Sequence, residues 1–167
     1  MTGYPPEMQR RIALERELAD FQITQALSLT QPWATLVIIG AKLFETRSWP
    51  TGYRGWLAIQ AAKGFPRACQ DLCYQQPFAA HLAAAGYNKP SDLPRGEVLG
   101  VVNLTACLST NVFVPESSVE YDFGDYSHDR YAWKFEGVRR LREPFAAKGA
   151  LSLWKLPRPI TLADLDA

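Results

Sequence analysis

The stretch from Glu97 to Cys107 constrains this chain more than any other. Val98, Gly100, Val102 and Leu104 alternate in orientation with Leu99, Val101 and Asn103, which predicts an extended strand. Shorter candidates surround it. Ala26–Leu29 reads as a strand. Trp56–Ala61 is a second, mostly apolar one, and Leu43–Arg47 another. Tyr131–Val138 and Ala150–Leu156 read as closing strands, separated by Glu143-Pro144. Helical spacing appears in two places early on. Met8, Ile12, Leu14, Leu18 and Phe21 form a stripe over residues 7–22, read as a peripheral helix that packs against the main domain. Trp33, Leu36, Val37 and Ile39 follow Pro32, and Gly40 supplies a left-handed exit. Pro66 opens a further helical region that Pro77 interrupts and Gly86 ends. Strands interleaved with a few helices predict an α+β fold, a small mixed β-barrel framed by helices rather than a Rossmann layout.

Size and composition fit this reading. A chain of 167 residues, 47% hydrophobic and 21% charged, buries roughly 70% of its unfolded surface and makes one core. No apolar run approaches the roughly 20 residues of a membrane span, and no apolar segment of a secretory signal follows Tyr4-Pro5-Pro6. Three cysteines fit a reducing compartment, so the expectation is a cytoplasmic protein with no membrane partner. Cys69 and Cys73 share a helix face but lack further ligands nearby, so no metal and no cofactor is expected. His81 and His128 stand beside no serine–acid partnership.

The net charge of +1 hides an uneven distribution. Residues 40–67 carry Lys42, Arg47, Arg54, Lys63 and Arg67 against Glu45 alone. Residues 134–158 carry seven bases against Glu136 and Glu143. Residues 109–130 hold five acids against Arg130 and have too few periodic apolars for an element, so they read as a long acidic insertion. If the basic blocks meet in space, a nearly neutral protein carries a positive face; scattered solvated charge is the alternative.

The chemistry concentrates in Gly40-x-Lys42-x-x-Glu45-x-Arg47. Glu45 and Arg47, two apart on a strand, project from one face, and Thr46 from the other. A Glu45–Arg47 pair would leave guanidinium donors and the Lys42 ammonium aimed at an anion. Trp33, Trp49, Tyr53 and Trp56 lie close in sequence, so cations interleave with flat aromatic surfaces, as single-stranded nucleic acid requires. The alternative for the three charged residues is a surface salt-bridge cluster. Trp33 is read chiefly as core and Trp49 as ligand contact or loop anchor. Arg54 and Lys63 are phosphate contacts or solvated charge, and Gln31 a base contact or a helix cap.

These residues carry a resemblance. Leu27-Ser28-Leu29-Thr30-Gln31-Pro32-Trp33-Ala34, Gly40-Ala41-Lys42, Glu45-Thr46-Arg47-Ser48-Trp49, Tyr53-Arg54-Gly55, Ala61-Ala62-Lys63, Gly96-x-x-Leu99-Gly100 and the ending Gly149 to Leu156 resemble the ASCH (activating-signal-cointegrator homology) domain of the PUA-like superfamily, in its cointegrator-type branch. The likeness spans roughly residues 26–156. It implies an N-terminal helical extension (1–23), an ASCH domain (24–158, with the insertion at about 109–130) and a C-terminal tail (159–167).

The resemblance also implies a cleft that binds RNA or single-stranded DNA, in RNA metabolism or transcription coactivation. The expected ligand residues are Lys42, Glu45, Arg47, Ser48, Trp49, Tyr53, Arg54, Lys63, Gln31 and Trp33. The acidic insertion is open to three roles: repelling nucleic acid, covering the cleft, or binding a protein partner. An enzymatic alternative stands beside this one: a metal-independent amidohydrolase acting on an acylated cytidine, or a ribonuclease, with Lys42 and Glu45 catalytic. The family's hydrolases pair that lysine with a threonine and a distal glutamate. Here Glu45 takes the threonine's place and Glu97 is the nearest stand-in for the glutamate, a departure that weighs against deacylation.

Overall fold

The computed structural model describes residues 3–166. The first two residues of the N-terminal extension and the last of the C-terminal tail lie outside them. Six strands make one sheet: β1 (Ile23–Leu29), β2 (Phe44–Arg47), β3 (Gly55–Ala61), β4 (Glu97–Ser109), β5 (Tyr131–Ala146) and β6 (Leu153–Ile160). Their order is β2-β5-β4-β3-β1-β6. The β1–β3 pair is parallel and the other four ladders are antiparallel. Three register shifts break the β4–β5 ladder, and such bulges increase twist and bend a strand. Among the described residues no ladder joins β2 to β6, so the curled mixed sheet is open at that seam. The fold is the expected α+β one.

Period-two alternation sorts the sheet's side chains into two cores. Leu27, Leu29, Leu57, Ile59, Val102, Leu104, Trp133 and Phe135 pack on one face with Val37 and Ile38 of helix α2 (Trp33–Ile38). Ala26, Ala58, Val98, Val101, Leu141, Trp154, Leu156 and Ile160 pack on the other. Because apolar side chains leave β4 on both sides, both must be covered, and that accounts for its continuous burial from Val98 to Val102. Helix α2 crosses the sheet over Gly100, where a Cβ would stand 2.5 Å from the Arg139 carbonyl oxygen and 2.9 Å from Ile38 Cδ1. Gly40, at φ +80°, ends that helix as expected, and the Ala41 and Lys42 amides both donate to the Leu36 carbonyl. A third cluster joins Leu36 to α3 (Arg67–Leu72), α4 (Phe78–Ala84) and α5 (Ser118–Phe123) through Leu72, Cys73, Phe78, Leu82 and Phe123.

Three expectations are revised. Helix α1 (Pro6–Ala19) buries no residue, and Leu14 and Leu18 of the predicted stripe are exposed; Phe21, after the helix, stands edge-on to Trp56. The acidic insertion is structured. Ser117 caps α5 by accepting from the Glu120 amide. Glu120, 5% exposed, then accepts from the Leu43 and Phe44 amides at 2.9–3.1 Å. One anchoring carboxylate is invisible to hydrophobic periodicity, so the segment reads as a loop from sequence. Finally, β6 runs on to Ile160, and the segment after it folds back. Leu165 is buried and bridges to Leu141, and the Asp166 amide donates to the Arg140 carbonyl. No helix among the described residues is long and apolar enough to cross a membrane.

Candidate nucleic-acid interface

A cleft of about 1330 Å³ opens between the β1–β3 strand ends, β2 and the 146–152 segment that joins β5 to β6. Five bases line it: Arg47, Lys63, Arg95, Arg130 and Lys148. Glu45 is its one acid among the described residues. Three of these bases come from the regions singled out by charge counting: Arg47 and Lys63 from one basic block, Lys148 from the other. The blocks therefore meet, but only in part. Arg139 and Arg142 instead donate to the backbone carbonyls of Asp166 and Leu165. Lys134 pairs with Glu136, and Arg158 with Asp164.

Two of the bases are held by carbonyls and the other three are exposed. Arg47 extends from the edge strand β2, and its guanidinium donates to the Ser28 carbonyl at 2.8 Å, across the cleft floor on β1. Arg130 donates to the Thr46 carbonyl at 3.3 Å and lies 3.3 Å from an Asp125 oxygen. The Ser127 hydroxyl and amide, with Arg130 behind them, hold the Asp125 carboxyl below the usual aspartate range. Lys63 and Arg95 are exposed at the rim. Ser48 is exposed in the cleft. Trp49 is half-buried, its ring 4.7 Å from Trp133 and perpendicular to it, so it presents one surface to the cleft from a fixed position. Trp33 also lines the cleft, and its indole nitrogen donates to the Phe123 carbonyl at 2.8 Å.

The structure places four other expected residues elsewhere. Lys42 is 1% exposed, does not line the cleft, and donates from Nζ to the Phe44 carbonyl. Lys42 stands just ahead of β2, and its side chain runs into the interior instead of joining Glu45 and Arg47 on the cleft. Gln31 is fully buried. It accepts from the Thr35 amide at 3.0 Å and donates to Thr35 Oγ1 and the Pro94 carbonyl, both at 2.8 Å, so it satisfies a first-turn amide of α2 from just ahead of the N-cap residue Pro32. Tyr53 packs on the first core and donates to the Trp56 carbonyl. Arg54 is exposed and donates to the Thr51 and Tyr53 carbonyls, outside the cleft. Among the described residues Glu45 and Arg47 form no ion pair, because the Ser28 carbonyl takes the guanidinium instead. Glu97 lies in β4, opposite Ala61 and Ala146, and does not line the cleft. Thr46 is buried and accepts from the Asp125 amide at 2.9 Å. Tyr126 is buried beside it with an unpartnered hydroxyl; burial, then Glu120 and Glu45, push its pKa well above the ordinary tyrosine value.

Sequence reasoning did not single out Arg95, Arg130, Ser28 and Gln60, all on the cleft, and reached Lys148 only as one member of a basic block. Ser28 and Gln60 carried a signal: each is the polar interruption of a short apolar run, Ala26–Leu29 and Trp56–Ala61. The three cysteines are free, and no cluster of metal-ligating side chains occurs among the described residues.

The ASCH domain model matches residues 27–145, which span strands β1 to β5 and the acidic insertion. The chain belongs to the ASCH domain family. It is 33% identical over 136 residues to Activating signal cointegrator 1 of Homo sapiens and 32% identical to that of Mus musculus. In both cases the match takes in 80% of this chain but only 22% of the relative, so the chain spans about a fifth of their length. A crystal structure of ASCH from Zymomonas mobilis covers 80% of this chain and 87% of its own, at 16% identity and a TM-score of 0.45.

Proposed function

We propose that this ASCH domain binds RNA or single-stranded DNA in its basic cleft, in RNA metabolism or transcription coactivation. The observation that carries the reading is the convergence of Arg47, Lys63, Arg95, Arg130 and Lys148 around one acid. At about 1330 Å³ the cleft exceeds the roughly 300–1,000 Å³ of small-molecule pockets. That favours a segment of a polymer over a single nucleoside. Arg47 and the rim lysines supply phosphate contacts, Trp49 offers a stacking surface, and Ser48 and Glu45 accept or donate at the edge of a base. Lys42 and Gln31 hold the scaffold of the motif, and Tyr53 and Arg54 the loop beside it. The enzymatic alternative, with Lys42 as base and Glu45 as its partner, loses support because the Lys42 ammonium is turned away from the cleft. The free thiols of Cys69, Cys73 and Cys107 suit a reducing, cytoplasmic setting. The exposed acids of the insertion, Glu116, Asp122 and Asp129, suit a protein partner better than a nucleic acid.

Arg47→Ala combined with Lys148→Ala tests this reading by fluorescence anisotropy on a short single-stranded oligonucleotide. The double variant is expected to bind at least about tenfold more weakly, with a shallower salt dependence. Unchanged affinity would contradict it.

A further inference from the structure

The β5–β6 connection presents the most exposed large apolar side chain among the described residues. Leu151 is 93% exposed, and it lines the cleft. A solitary surface leucine is ordinary and needs no explanation. This one is set apart by its place beside the cationic side chains of the cleft and by the way its main chain is held.

The connection is fixed on both sides of the leucine. The Ala147 amide donates to the Gly96 carbonyl at 3.1 Å, and the Ala147 carbonyl accepts from Gln60 Nε2 at 2.8 Å. Gly149 is packed so closely on the sheet that a Cβ would stand 2.5 Å from both Gln60 Oε1 and Ser28 Oγ. Beyond the leucine, Ser152 takes φ +57°, a left-handed conformation that a residue with a Cβ rarely adopts. Leu153 then pairs with Leu27 in the β1–β6 ladder. Ala150, Leu151 and Ser152 therefore form a short exposed tip on a pinned support. A side chain held there adds almost nothing to the packing of the protein, and its area is left for a ligand in the cleft.

We infer that Leu151 is a nucleobase contact, its side chain lying against the ring face of a base in the bound strand. The inference rests on the proposed nucleic-acid function of the same cleft and adds to it a contact that carries no charge. Phosphates and sugar hydroxyls offer a leucine nothing, because it can neither donate nor accept a hydrogen bond. The apolar surface of a single strand is the faces of its unstacked bases. Lys148 is exposed on the same connection and lines the cleft, so charge and apolar surface stand together on that wall. Trp49 supplies a second flat contact from the segment after β2. A contact with the ring face reads no base edge, so it tolerates any sequence.

The test follows, by fluorescence anisotropy across a salt series, the binding of a short oligouridine, the matching oligodeoxythymidine and an abasic oligomer of equal length. It is run on wild type, Leu151→Ala and Leu151→Met, each checked for native melting, which an exposed side chain should leave unchanged. Leu151→Ala should hold the tighter-bound of the two base-bearing oligomers about three- to tenfold more weakly at an unchanged salt slope, the loss of part of a buried leucine. Leu151→Met keeps the apolar surface and should stay near wild type. On the abasic oligomer Leu151→Ala should equal wild type. Unchanged affinity in Leu151→Ala, an equal loss in Leu151→Met, a changed slope, or an equal loss on the abasic oligomer would overturn the inference and leave the binding function standing. No wild-type binding of any oligomer would overturn the binding function, and this inference with it.

Discussion

Gly100 is where the fold tolerates least. A methyl group there meets the Arg139 carbonyl at 2.5 Å, and main chain cannot swing aside as a side chain can. Gly100→Ala should therefore cost about 1–3 kcal/mol, read as a lower urea midpoint at unchanged slope. An unchanged midpoint would show that β4 and β5 separate freely there. Glu120 is the second critical residue. Removing its carboxylate frees the Leu43 and Phe44 amides at a half-exposed edge, where water replaces part of the loss. Glu120→Ala should cost roughly 1–2 kcal/mol and Glu120→Gln less, by the same urea measurement. At this scale the sequence was a partial guide. Arg47, Ser48, Trp49, Lys63, Glu45 and Trp33 do lie on one cleft, while Lys42, in the same short motif, is buried. Residue spacing tells which side chains share a strand face, but not that a neighbouring carbonyl will claim an ammonium or that Ser28 will displace Glu45 as the partner of Arg47.

Among the elements, strands were the more legible, because a continuously apolar β4 has few ways to avoid water on both faces. Helix α1 misled for the opposite reason. Its apolar stripe is present, yet a helix of 14 residues with no buried side chain draws nothing from tertiary packing. Deleting the residues before Asp20 should shift stability by under about 1 kcal/mol, measured by thermal melting, provided Phe21 stays to meet Trp56. A large loss would mean that the helix has a packing role. Two carboxylates brace connecting segments. Hydrogen bonds from Ser127 depress the Asp125 pKa, and those from the Thr161 amide depress that of Asp164. Both groups favour folding in the charged form. Their contribution is present above the ordinary aspartate value of about 3.9 and lost as pH falls through the lower folded values. Asp125 is largely exposed, so the effect there is modest. Urea midpoints of Asp125→Asn and Asp164→Asn should lie below wild type near neutrality and converge with it in strong acid. Parallel curves would contradict the linkage.

Across the whole molecule, a net charge of +1 coexists with a cleft that gathers five bases around one acid. Charge counting along the chain foresaw two basic blocks. Their meeting through Lys148 alone, and the contributions of Arg95 and Arg130, depend on how the β5–β6 connection and the acidic insertion fold over the sheet. No local pattern encodes that. The account stands on this convergence, and salt dependence probes it most directly. The affinity of the wild-type chain for a single-stranded oligonucleotide should fall with salt along a log–log slope of about −2 to −3.5, three to five phosphates at roughly 0.7 each. Arg47→Ala with Lys148→Ala should bring the slope closer to zero by about 1.4. A wild-type slope near zero, or an identical slope in the double variant, would contradict the claim that this cleft holds the phosphate backbone.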